Sequence, residues 1–163
     1  MSRRKRRAET PVRSALVPAS ALLPLVQDGL GAVEAEHRRH IEEALRPAFD
    51  DSVDIDDGLR PGREAENRWD YLLGVGAERT IIALEPHSAK SGEVDTVIRK
   101  KRAACDQLRP HLRPEARVRH WFWVASGEVQ FASTERAILR LAQEGIVFVG
   151  RVLRAKHLFS SNT

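Results

Sequence analysis

Two acids in apolar surroundings are the residues of this 163-residue chain that point most clearly to chemistry. Asp70 lies within Trp69-Asp70-Tyr71-Leu72-Leu73, and Glu85 closes Ile81-Ile82-Ala83-Leu84-Glu85. A carboxylate inside an apolar run costs free energy unless a partner neutralises it. Two of them at neighbouring strand ends repel unless a cation lies between. Mg²⁺ takes one or two carboxylates together with water and phosphate oxygens. Such a site activates water for attack on a phosphodiester and stabilises the charge that develops. Mg²⁺, or Mn²⁺ in its place, is therefore the cofactor that Asp70 and Glu85 would bind.

Other chemistry-bearing residues read more plainly. Asp54-x-Asp56-Asp57 lacks the glycine and distal glutamate of an EF-hand and reads as an acidic loop. Trp121 and Trp123 share one strand face, where core packing is expected rather than base stacking. Cys105 lies on a helical apolar stripe and reads as core, and His37 as a satisfied core histidine. No Ser/His/Asp order, phosphate-binding loop or dinucleotide fingerprint is present.

The elements that must position the acids follow from periodicity. Val26, Leu30, Val33, Ile41, Ala44 and Leu45 recur at helical spacing, which predicts a helix from Ser20 to about residue 46, ended by Pro47. Residues 50–67 are acidic and loop-like, with a short strand near Val53 to Ile55. Arg68 to Val75 reads as a strand, Gly76 to Arg79 as a turn, and Thr80 to Glu85 as a second strand stopped by Pro86. The unbroken apolar run of that second strand suggests burial on both faces. A helix then opens at Ser91 or Gly92 with the stripe Val94, Val97, Ile98, Cys105 and Leu108, and Pro110 closes it. Val118 to Ser126 is a strand, Ser133 caps a third helix, and Ile146 to Leu153 is a last strand. Helices alternating with apolar strands imply an α/β fold, a central mixed sheet flanked by helices.

This order, with an acid on the first helix, Asp on one strand and Glu on the next, resembles the PD-(D/E)XK nuclease superfamily over residues 20–155. The resemblance implies a restriction-endonuclease-like αβββαβ core and a metal-dependent phosphodiesterase that cuts DNA or RNA. By that match Asp70 and Glu85 correspond to the acids of the motif and ligate the metal. Members often add an acid from the first helix; Glu34 falls beside the Val26/Leu30/Val33 stripe and is the candidate for a third ligand. The chain departs from the pattern at Glu85-Pro86-His87, where the family has lysine after the glutamate. His87 is one replacement for that lysine, and Lys90 another. Lys101 is a third: it interrupts the apolar stripe of the second long helix, and some relatives carry the lysine there. Its plain reading is a snorkelling stem with an exposed head, and Lys100 reads as surface. The departure keeps open an inactive nuclease-like domain that binds nucleic acid or a protein partner in a bacterial complex.

Composition sets the remaining bounds. Hydrophobic content of 42% and charged content of 31% fit one folded domain, here residues 20–158. Residues 1–19 read as a basic flexible arm and 159–163 as a flexible tail. Arg3, Arg4, Lys5, Arg6 and Arg7 exceed the whole formal net charge of +4, so the body is close to neutral. Contact with nucleic acid is expected through that arm and a local patch, and a protein partner or homodimer is an alternative. Arginine outnumbers lysine, which suggests a GC-rich bacterial genome. A single cysteine excludes an internal disulfide, no apolar run spans a membrane, and the basic start lacks the apolar core of a secretory leader. A cytoplasmic location is expected.

Overall fold

Val53, Leu72, Ile81, Ala83 and Trp121 bury against one side of a sheet, while Leu73, Ile82, Leu84 and Phe122 bury against the other. That double burial is what the apolar strand runs require, and it makes the sheet a central layer. The computed structural model describes residues 10–90, 92–130 and 135–159. The arm residues Arg3, Arg4, Lys5, Arg6 and Arg7, the expected cap Ser133, and residues 160–163 of the expected tail lie outside the described residues.

The protein is an α/β fold with a six-stranded mixed sheet and flanking helices. In chain order the elements are α1 (Pro11–Ala15), β1 (Gln27–Asp28), α2 (Ala35–Arg38), β2 (Phe49–Asp54), α3 (Ile55–Leu59), β3 (Tyr71–Val75), β4 (Thr80–Ala89), α4 (Glu93–Leu108), β5 (Val118–Val129), α5 (Glu135–Gln143), β6 (Ile146–Phe148) and α6 (Ala155–Phe159). The strands lie side by side in sequence order. β1 to β4 run antiparallel to their neighbours, whereas β4, β5 and β6 run parallel. The parallel crossovers carry α4 and α5, as parallel pairing demands. Among the described residues no helix is long and apolar enough to cross a membrane.

The helix expected over residues 20–46 does not form. Short 3₁₀ turns at Leu23–Leu25 and Glu43–Ala48, the two-residue β1 and the single turn α2 occupy that stretch. Pro24, Gly29 and Gly31 account for the failure, since each disfavours a helix interior. Gly29 takes φ +55°, and a Cβ on Gly31 would sit 2.9 Å from that of Gln27. The apolar residues still bury: Val26, Val33, Ile41 and Leu45 are in the core. Side chains then satisfy main-chain groups that a helix would have paired. Ser52 Oγ accepts from Ala32 N (3.0 Å), and Arg38 Nε donates to Val33 O (2.8 Å).

Four further expectations change. Within the stretch 1–19 expected as an arm, residues from Thr10 on are ordered, because α1 is packed on the sheet with Val12 and Leu16 buried. Buried Asp51 holds its first turn, accepting from Val12 N and Arg13 N at 3.0 Å each. β4 does not stop at Pro86 but continues to Ala89 beside β5. β3 reaches only as far as the Tyr71–Leu84 pair, so the missing N–H of Pro86 costs no bond on that side. The last strand is three residues long, and the segment around Leu153 instead makes a single bridge to Ile41. Cys105 is exposed, its neighbour Ala104 taking the inward position.

Candidate functional site

The β3–β4 register decides where the two acids meet. Leu73 faces Ile82, Leu72 faces Ala83 and Tyr71 faces Leu84. One step further along the same ladder, Asp70 stands opposite Glu85. Opposed residues of an antiparallel pair project to the same face, with Cβ atoms about 5 Å apart. Alternation puts both acids on the face of Leu72 and Ala83, the side covered by α1 and α4. Glu85 Oε1 accepts from the main-chain N of Asp70 at 2.9 Å, so the glutamate terminates the ladder by capping the first free donor of β3. The carbonyl of Asp70 accepts from Ile55 N (2.9 Å) and Asp56 N (3.3 Å), which ties the same residue to the start of α3.

Glu85 is fully enclosed. Burial pushes its carboxyl well above the usual range, and the neighbouring Asp70 pushes it further. Burial also raises Asp70, a shift that the charge of Lys100 opposes. The cation that relieves them is Lys100, whose Nζ contacts Glu85 Oε2 as both hydrogen bond and ion pair. Lys101 leaves the helix on the other flank: its Nζ donates to Glu144 O and sits 5.6 Å from the Trp121 ring centroid.

His87 is one alternation further along β4, with Nδ1 3.8 Å from Glu85 Oε2. Its Nε2 pairs with Glu93 Oε2 at 2.8 Å, and Ser88 Oγ donates to Glu93 Oε1 at 3.2 Å. The hydrogen bond from His87 holds the Glu93 carboxyl below the ordinary glutamate range. Trp123 Nε1 donates to the His87 carbonyl (3.1 Å), fixing the main chain there. The ring is thus held between two carboxylates, Glu85 on its own strand and Glu93 in the first turn of α4.

Glu34 belongs to a different group. It precedes α2, is exposed, and its main-chain N donates to Tyr71 Oη at 3.3 Å. Glu34, Glu36 and His37 bring one ligand atom each to within 4.8 Å of one another, and among the described residues no such trio includes Asp70 or Glu85. His37 Nδ1 is 2.7 Å from Tyr71 Oη. Tyr71 and its ladder partner Asp54 share the opposite face of the sheet from Asp70. Burial, with help from Asp56 and Asp70, raises the Asp54 carboxyl to about 6. This end of the sheet therefore carries acids on both faces.

Two residues of importance escape a reading of spacing alone. Lys100 sits three residues after Val97 and four before Ala104, both buried, so it too lies along an inward row. Lys100 and Lys101 flank the same stripe, and only the placement of α4 over β4 selects between them. Glu93 reads in sequence as a favourable first-turn acid; its pairing with His87 depends on β4 running past Pro86. The donor set of Asp70 and Glu85 suits a hard divalent cation. Both are carboxylates, they stand on one face, and their crowding is relieved by positive charge. Comparison of the chain with protein-family models, with curated proteins and with solved structures finds no match.

Proposed function

We propose that the protein is a metal-dependent phosphodiesterase acting on DNA or RNA, of the PD-(D/E)XK kind, with Lys100 in the role of the lysine missing after Glu85. The observation that carries this reading is the Asp70–Glu85–Lys100 cluster: two opposed carboxylates on one face, with an ammonium on one of them. The strand order and directions from β2 to β6, with α4 between β4 and β5, support it.

Asp70 and Glu85 would hold Mg²⁺ or Mn²⁺, which when bound supplies Lewis-acid stabilisation of a phosphoryl oxygen and lowers the pKa of water. Lys100 offsets the negative charge that gathers at the carboxylates and donates hydrogen bonds toward them. His87 is oriented by Glu93 and turns its other ring nitrogen toward Glu85. The main-chain bonds of Asp70 to α3 and to Glu85 keep the acid pair in register, which is the positioning that phosphoryl transfer requires.

The test is cleavage of single-stranded, double-stranded and branched substrates by the pure protein with Mg²⁺ or Mn²⁺. Asp70→Asn and Glu85→Gln are expected to abolish it, and Lys100→Met to slow it by about 100-fold or more, the cost of losing one charge-stabilising donor. Lys101→Met should cleave at the wild-type rate. Cleavage that survives Asp70→Asn and Glu85→Gln rejects the site.

One observation favours a second reading, an inactive nuclease-like domain that binds nucleic acid or a protein. Glu85 is fully enclosed and already neutralised by Lys100, an arrangement that is complete without a metal. In that case the two acid variants lose stability but no cleavage is seen with any of the three proteins.

A further inference from the structure

At the far end of β4 from the acid pair, four residues or roughly 13 Å along the strand, lies a cleft of about 840 Å³. It opens between α1, the β3–β4 turn and the segment that leads into β5. Arg79, Arg113 and Arg117 line it, and among the described residues none of the three is in an ion pair. Two carboxylates, Asp50 and Glu115, share the lining and leave one positive charge in excess. Asp50 is packed over Gly76, where a Cβ would meet its carboxylate at 2.2 Å.

Two of the cationic positions are built rather than incidental. Arg113 is pinned to α1: its Nε donates to Ser14 O (3.1 Å) and its N to Ala15 O (2.9 Å). Arg79 closes the turn Gly76 to Arg79, where its N donates to Gly76 O at 3.3 Å. It has φ +54°, and it is the non-glycine residue with positive φ among the described residues. That backbone region suits glycine or asparagine, and a long side chain there is held against a local cost. Strain of this kind clusters where a side chain is needed in place.

We infer that this cleft binds a phosphate group, held by the guanidinium groups of Arg79, Arg113 and Arg117. Guanidinium forks match phosphate oxygens in geometry as well as charge. The volume admits a mononucleotide or a short stretch of strand. This site does not depend on the acid pair, so it stands or falls apart from the phosphodiesterase reading.

Calorimetric titration with inorganic phosphate, adenosine monophosphate and an eight-nucleotide DNA strand, with and without a 5′-phosphate, tests the proposal. Saturable binding of at least one probe is expected. Arg79→Gly should weaken it about tenfold, the usual scale for one charged hydrogen bond, while its thermal unfolding midpoint stays level or rises because the strain is gone. Arg117→Gln should weaken it likewise, and Asp70→Asn should leave it unchanged. Binding of the monophosphate but not the strand assigns a free nucleotide; binding of the strand assigns a backbone or terminal phosphate. No binding of any probe, or binding indifferent to both Arg79→Gly and Arg117→Gln, overturns the inference.

Discussion

Glu85 and Asp70 hold protons more tightly than free carboxylic acids, because burial disfavours both charges and the charge of Asp70 raises Glu85 further. A divalent cation must displace those protons to bind. Mg²⁺ affinity is therefore expected to rise with pH through the range above the ordinary carboxylate values, with protons released on binding. Calorimetry in two buffers of different ionisation enthalpy measures that release; Glu85→Gln should remove most of it, and proton-neutral binding by the wild type would contradict the shared site. The acid pair itself was legible in the chain, since Asp70 and Glu85 each interrupt an apolar strand. Its lysine was not. Lys100 and Lys101 lie on either side of one apolar row, and helical periodicity fixes that row without fixing which flank faces the neighbouring strand. Glu34 was placed on a helix that does not exist, and so at the wrong face.

Helices α1 and α3 show how small elements are held at the sheet by single carboxylates. Asp51 is buried in β2 and accepts two main-chain bonds from α1, while Gly74 on β3 makes room for it. A Cβ on Gly74 would lie 2.0 Å from Asp51 Oδ1. Asp51→Ala leaves two enclosed donors unpaired and is expected to cost about 3 kcal/mol, read by chemical denaturation, whereas Asp28→Ala at the exposed pair with Arg13 should cost at most about 0.5 kcal/mol. Asp54 caps α3, accepting from Asp57 N at 2.8 Å, but burial lifts its carboxyl to about 6, above the ordinary aspartate range. A raised acid binds its proton more tightly folded than unfolded, so its stabilising share is present below pH 4 and is lost as pH rises through about 6. Asp54→Asn keeps the cap and removes the titration. It should gain about 1 kcal/mol at pH 7, with screening of a half-exposed group allowed for, and nothing at pH 4. A variant that gains equally at both would show that the charge is not the cause. Strands β3 to β6 and the two longer helices were legible because each carries an apolar run or stripe of its own, whereas the exposed β1 carries none. Residues 20–46 were not, since an irregular chain wrapped on a sheet can bury every third or fourth residue as a helix does. Pro24, Gly29 and Gly31 were the signals against the helix.

At the scale of the whole molecule, the charge is unevenly placed. The body is close to neutral, and the five cations of Arg3 to Arg7 account for the basic balance. Thr10, where the described chain begins, lines the cleft that Arg79, Arg113 and Arg117 surround. The basic run is therefore joined to the body beside this cleft, and the acidic cluster lies further along β4, at Glu85. A polyanion approaching the protein meets attraction at one end of the sheet and, without a metal, repulsion at the other. Affinity for a nucleic acid should then depend on salt through a countable set of cations, with a log–log slope near −0.7 for each phosphate neutralised on a single strand. Removal of residues 1–7 is expected to reduce that slope by up to about 3.5 and to weaken binding several-hundred-fold at low salt while leaving the unfolding midpoint unchanged. Arg117→Gln should reduce the slope by about 0.7 more. Fluorescence anisotropy across a salt series reads both changes. A slope that is the same with and without residues 1–7 would place the attraction on the body and remove the arm from the interface.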